Sequence, residues 1–358
     1  MTRGVLRARR ELARLGWPVE QQAVDFTIEV TDLGTDRLGV TDRSNRMRIT
    51  VPDRMAEPGE DLSVALSALL AHEYLHLCQY RCLRGARAIR EERFLWWMEA
   101  TAIYLEYRLA PVDPKTGQKR LTYVDAVSTG RGEHSRSGLE SAAGGSSLGY
   151  AYAPLAFLMA DALGPEALVR TWMQIAADSR VDSAVEAIEL CLSEPGEARH
   201  TFGELFEAYA RHMASGASSA VRTDLGLDVV EALDLAPGPA GASTTRISLP
   251  GLSFSVFALR PGRGDPRGPV AEFRGAPGLK AFRLEGCDDR RLEPDRLVVV
   301  NVSRTEKAGR ILWGPKPAAP GAGPRRTARG GPGRPVPSNG PPGFDAPRPS
   351  PGGAAGRP

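Results

Sequence analysis

The chain runs to 358 residues with 42% hydrophobic and 25% charged side chains, the balance of an ordinary globular protein with room for about two domains. Its formal net charge of +3 divides unevenly: residues 315–358 hold seven Lys or Arg against Asp345 alone, so this tail carries +6 and residues 1–314 sum to −3. That excludes a basic nucleic-acid surface on the folded part, and no run approaches the ~20 apolar residues of a membrane span.

From the N-terminus, residues 1–16 predict a short basic helix ending at Gly16, with Pro18 just beyond. The positive charge there is followed by no apolar run, so it is not a signal peptide as written. The chain as written therefore reads as cytoplasmic, and a chain preceded by a leader would read as exported. Asp25-Phe26-Thr27-Ile28-Glu29-Val30 and Arg46-Met47-Arg48-Ile49-Thr50-Val51 alternate polar and apolar residues, as half-buried strands do, and predict one sheet. Gly34 and Gly39 mark turns. Then the period changes: Leu62, Leu66, Leu69, Leu70, Tyr74 and Leu77 predict a helix over 61–84 with its apolar stripe inward and Gly85 as C-cap.

A second helix is predicted over 91–109, with Phe94, Leu95, Trp97, Met98, Ala102 and Leu105 on its apolar face and Pro111 and Pro114 ending it. Residues 111–149 are polar and Gly/Ser-rich and predict a long loop. Helices follow over 153–163, 165–178, 182–193 and 202–214. Beyond Gly216, Thr244–Val256, Val270–Phe273, Leu279–Leu284, Arg296–Val302 and Ile311–Trp313 read as strands between Gly/Pro turns. From Pro315 on, 23 of 44 residues are Pro or Gly, a composition that cannot bury a core and predicts disorder. The whole is an α+β chain in three parts: 1–216 with strands 25–51, helices 61–109 and a helical part 150–216, then a small β-rich domain over 225–314, then the tail 315–358.

Four cysteines, Cys78, Cys82, Cys191 and Cys287, are too few for a disulfide scaffold, although a Cys191–Cys287 bridge is compatible with export. Paired C-x-x-C motifs are absent, which excludes a zinc ribbon. The chemistry concentrates instead at Ala71-His72-Glu73-Tyr74-Leu75-His76, an H-E-x-x-H motif on a predicted helix. Residues i and i+4 share a helix face, so the two imidazoles can converge on one ion. Glu73 stands beside that ion and is placed to take a proton from its water and return it to a leaving amine. A catalytic zinc needs a third protein ligand and an open position. The metal class that continues H-E-x-x-H-x-x-G-x-x-H is ruled out, because Gln79 and Cys82 occupy those places. A Glu from a second helix is the other solution, and Glu99 in Trp96-Trp97-Met98-Glu99-Ala100-Thr101-Ala102-Ile103-Tyr104 lies 23 positions after His76.

H-E-x-x-H followed by W-x-x-E-[AG]-x-A-x-[YW] resembles the gluzincin zinc peptidases over roughly residues 25–165. The resemblance implies a zincin-like catalytic fold, a Zn2+ cofactor and a peptide or protein substrate. It implies His72, His76 and Glu99 as metal ligands and Glu73 as the base. Ile103 stands where thermolysin-like members place an acid, and the Gly-Met-Glu motif of the aminopeptidase-like members is absent. Glu106, seven residues after Glu99, is a candidate to orient a ligating His through its other ring nitrogen, or else a surface acid paired with Arg108. Gly149-Tyr150-Ala151-Tyr152-Ala153-Pro154 is similar to the segment from which aminopeptidase-like gluzincins supply an oxyanion donor, so Tyr150 and Tyr152, read as lying just outside a helix, are the candidates. The competing expectation is a catalytically inactive zincin fold kept as a binding or assembly module.

Overall fold

The structure is a computed structural model that describes residues 2–19, 26–31, 39–50, 66–83, 92–110, 112, 138–140, 145–193, 201–215, 233–235, 243–259, 269–284 and 295–315. The described residues all belong to one compact unit, and Pro317–Pro358 lie outside the described residues. The chain is α+β. No helix among the described residues is long and apolar enough to cross a membrane.

The N-terminal part combines helix α1 (Thr2–Arg14), strands β1 (Thr27–Val30), β2 (Gly39–Thr41) and β3 (Arg46–Ile49), and helices α2 (Ser67–Cys82) and α3 (Glu92–Leu109). The sheet order is β1-β3-β2, with β1 parallel and β2 antiparallel to β3. Gly39 therefore opens a strand instead of marking a turn. The turn lies further on, where Asp42 accepts from the backbone of Ser44 and Arg46 and Asn45 takes a positive φ of 61°. Asn and Asp tolerate that conformation better than most residues because a short polar side chain bonds locally.

Helix α2 is not the one-sided amphipathic helix its apolar stripe suggests. Nearly every side chain from Ser67 to Gln79 is buried, because α1, α3 and β2 cover it from different directions. Gly4 of α1 contributes: a Cβ there would press on Leu70 at 2.9 Å, so the missing side chain lets α1 lie close. Helix α3 is buried almost as completely, from Phe94 through Glu106.

A short helix, α4 (Gly145–Ala151), lies within the stretch expected to be loop, and packs on α3. Gly and Ser disfavour helix, so local propensity hides it and tertiary packing imposes it. Tyr150 is thus inside a helix, and Tyr152 is the N-cap of α5 (Ala153–Leu163). Helices α6 (Glu166–Ala177), α7 (Ala184–Leu192) and α8 (Phe202–Ser215) follow close to their expected limits.

Strands β4 (Leu233–Leu235), β5 (Ser243–Leu249), β6 (Ser253–Leu259), β7 (Pro269–Gly275), β8 (Leu279–Leu284), β9 (Asp295–Asn301) and β10 (Lys307–Pro315) build two sheets, ordered β5-β10-β7 and β4-β6-β9-β8. The single strand expected over Thr244–Val256 is broken in two at Pro250-Gly251. Period-two alternation along β6 and β9 serves two cores. Phe257, Leu297 and Val299 face Leu249 and Ile311 of the other sheet, whereas Phe254, Val256, Val298 and Val300 join the helical core. Phe254 meets Tyr209 of α8 with ring centroids 5.9 Å apart.

Candidate metal centre

His72, Glu73 and His76 project from the middle of α2, and all three are buried. The ring centroids of His72 and His76 are 4.8 Å apart, nearly perpendicular. Helix α3 brings Glu99 to both: its Oε2 lies 3.2 Å from His72 Nε2 and 3.5 Å from His76 Nε2. The nitrogens facing away are also occupied. His72 Nδ1 lies 3.2 Å from Glu106 Oε2, and His76 Nδ1 lies 2.7 Å from Gln79 Oε1. Glu106 is fully buried, so it is not the surface acid of the alternative reading.

These three donors suit a metal ion on two grounds. All lie within 4.8 Å of one another. A tetrahedral site with metal–ligand bonds of about 2.05 Å has ligand–ligand edges of ~3.3 Å. The separations of 3.2 and 3.5 Å match that edge and are longer than the usual charge-assisted hydrogen bond of about 2.7–2.9 Å. The electrostatics agree. Burial alone pushes the His72 imidazole toward neutrality, but Glu106 and Glu99 outweigh it and raise its pKa to about 10. His76 is raised too, against burial, by the charge of Glu99. Burial pushes the Glu99 carboxyl upward, yet His76 and His72 hold it far below the usual carboxylate range. Glu99 thus favours positive charge on the buried imidazoles, a demand that a divalent ion answers as well. The residues fit a metal; they do not by themselves identify which one.

Glu73 is held by a neighbour invisible in the sequence pattern. Thr41 Oγ1 donates to Glu73 Oε2 at 2.7 Å and also lies 3.1 Å from the Glu73 carbonyl. Gly39 sits directly against the same carboxylate, where a Cβ would overlap Oε1 and approach Cγ to 2.7 Å. Strand β2 thus forms the wall beside Glu73, and only Gly allows that approach. On the other side, Gly149 of α4 touches the stem of Glu99. A Cβ at Gly149 would overlap Glu99 Cβ and come within 2.7 Å of the Trp96 carbonyl.

The two tyrosines separate. Tyr150 has its ring centroid 6.5 Å from that of His72, and its phenol is held protonated by burial and then by the charges of Glu99 and Glu73. Tyr152 is fully buried among Phe206 and Tyr209, and its hydroxyl donates to Leu252 O at 3.4 Å. The structure therefore brings Tyr150 to the His/Glu cluster and gives Tyr152 to the core. Cys78, Cys82 and Cys191 are buried thiols, and Cys287 with its expected bridge lies outside the described residues. No protein-family model, curated protein or solved structure matches this chain.

Proposed function

We propose that the protein is a zinc-dependent peptidase of the gluzincin type, with a zincin-like catalytic fold. The observation that carries this reading is the buried group of His72, His76 and Glu99, whose two His–Glu separations of 3.2 and 3.5 Å fit the edge of a tetrahedral zinc site, with Glu73 next to His72 in the chain. Zinc held there supplies Lewis acidity toward a carbonyl and lowers the pKa of water toward ~7. Glu73 removes a proton from the attacking water as the new C–O bond forms, then delivers that proton to the nitrogen as the C–N bond breaks. Thr41 holds one carboxylate oxygen of Glu73, which fixes the plane in which the other receives the proton. Tyr150, protonated at any physiological pH, donates to the oxyanion that develops on the former carbonyl.

Among the described residues β2 pairs only with β3, and an extended substrate chain is proposed to pair with its other edge, beside Glu73.

The decisive experiment pairs metal analysis of the purified protein with proteolysis of a denatured protein substrate. The expected result is one zinc per chain, cleavage by the parent, and zinc retention with lost cleavage in Glu73→Gln. That amide keeps the shape of Glu73 but cannot accept the proton. Undiminished cleavage by Glu73→Gln would place the chemistry elsewhere. Zinc without cleavage by the parent on any substrate would favour the binding module.

A further inference from the structure

We infer that Gln79 is a positioning residue, which dictates which nitrogen of His76 is presented to the metal; the inference rests on the metal reading above. In the sequence Gln79 stands where the H-E-x-x-H-x-x-G-x-x-H class has its glycine. In the structure it is completely buried, and its side-chain amide is fully used. Nε2 donates to the Met98 carbonyl at 3.1 Å and to Thr101 Oγ1 at 2.9 Å, while Oε1 faces His76 Nδ1 at 2.7 Å.

The direction of every bond follows from one fixed group. A backbone carbonyl can only accept, so the Gln79 NH2 must face Met98 and the Gln79 oxygen must face His76. The Thr101 hydroxyl donates to Trp97 O at 2.7 Å, which leaves its oxygen to accept from Gln79 and from Trp172 Nε1 at 3.2 Å. An amide oxygen accepts only, so His76 Nδ1 carries a hydrogen, and Nε2, which faces Glu99, is the nitrogen left to offer its lone pair when a metal replaces the proton there. Met98 immediately precedes Glu99. One turn of α3 therefore holds the third ligand and, through Gln79, orients the second. His72 is secured differently, by the carboxylate of Glu106. One histidine leans on a charged acceptor and the other on a neutral one.

A purely structural Gln79, tying α2 to α3, would affect folding and leave metal affinity alone. The test is zinc affinity of the full-length protein, measured by competition with a chelator, for the parent and for Gln79→Met, Thr101→Val, Thr101→Ser and Glu106→Gln, with circular dichroism of each metal-free variant. Outer hydrogen-bond partners of metal-ligating His are worth ~10–100-fold in metal affinity. Gln79→Met is expected to lose zinc affinity on that scale while remaining folded. Thr101→Val removes the acceptor that fixes the amide and should also weaken zinc binding, whereas Thr101→Ser restores it. Zinc affinity of a folded Gln79→Met within about twofold of the parent overturns the inference, and weakened binding by Glu106→Gln in the same series shows that the metal reading survives that outcome. Should Gln79→Met fail to fold, equal zinc affinity in Thr101→Val and Thr101→Ser overturns it instead. A parent that takes no zinc at all sinks the metal reading and this inference together.

Discussion

Gly149 sets two known effects against each other, and the geometry decides between them. Replacing Gly by Ala inside a helix normally stabilises it by about 0.8–1 kcal/mol. In α4 the added Cβ would overlap Glu99 Cβ, lie 3.0 Å from Glu99 Cγ and stand 2.7 Å from the Trp96 carbonyl oxygen. The tightest contact is with Glu99 Cβ, well inside the ~3.5 Å at which two carbons meet, so α3 and α4 must part by about 1 Å at this point. Overpacking of this kind costs about 1–3 kcal/mol, which exceeds the propensity gain. The displaced group is also the stem of a proposed zinc ligand, and a zinc site tolerates only about ±0.2 Å in its bond lengths. Gly149→Ala should therefore weaken zinc binding by tenfold or more, which corresponds to ~1.4 kcal/mol, and should lower the melting temperature of the metal-free protein. Chelator competition and thermal melts with and without zinc measure both. A variant that melts higher than the parent and binds zinc equally well would refute the reasoning, because helix propensity would then have won and α4 would not press on Glu99.

Tyr150→Phe should keep zinc and lower turnover by ~10²–10³, as loss of an oxyanion donor does. Tyr152→Phe should leave turnover unchanged and cost no more than about 1 kcal/mol in denaturant unfolding, since Leu252 O also accepts from Leu139 N; the reverse pattern would exchange the two roles. Glu11 joins α1 to α3 through Arg108 at 3.0 Å, and its pKa is lowered chiefly by its hydrogen bond to Arg14. A carboxyl depressed on folding stabilises above its unfolded value, 4.5 here, and loses that contribution as pH falls through the folded value. Glu11→Gln should therefore melt ~1–3 °C below the parent at pH 7, with the gap closing below pH 4.5; a gap that widens in acid would contradict the assignment.

The ligand triangle was legible because its parts are short-range. His72 and His76 share a face through helix spacing alone, and Glu99 lies in the next of the described helices. What surrounds the triangle was not legible, for identifiable reasons. Strand β2 is three residues long, too short for any alternation to register, although Asp42 and Asn45 do signal the turn that delivers it. Gly39 and Gly149 carry no pattern of their own; each is required only by a carboxylate from another element pressing on it. Gln79 could have been found, since a Gln three residues after the second His lies on the ligand face of the helix. Its partners Thr101 and Trp172 lie too far away in sequence for spacing to reveal them.

The β-rich region shows the same limit at larger scale. Composition shifts after Gly216 and suggests a separate domain, yet the strands bury one face against α8 and share the helical core. The junction reaches toward the His72, His76 and Glu99 cluster. At the β5–β6 turn, Leu252 takes a positive φ of 52° and its carbonyl accepts from both Leu139 N and the Tyr152 hydroxyl. Arg304 clamps the same region, bonding Glu140 through two nitrogens, Glu186 at 2.9 Å and Ser183 at 3.0 Å. Tyr152 begins the helix immediately after α4, and α4 carries both Gly149 against Glu99 and Tyr150 beside His72. A strained, non-glycine turn persists only where its surroundings over-determine it. Here those surroundings are the segments that lead into and out of α4. Among the described residues, the β-rich region thus bonds to Leu139 and Glu140 before α4 and to Tyr152 after it.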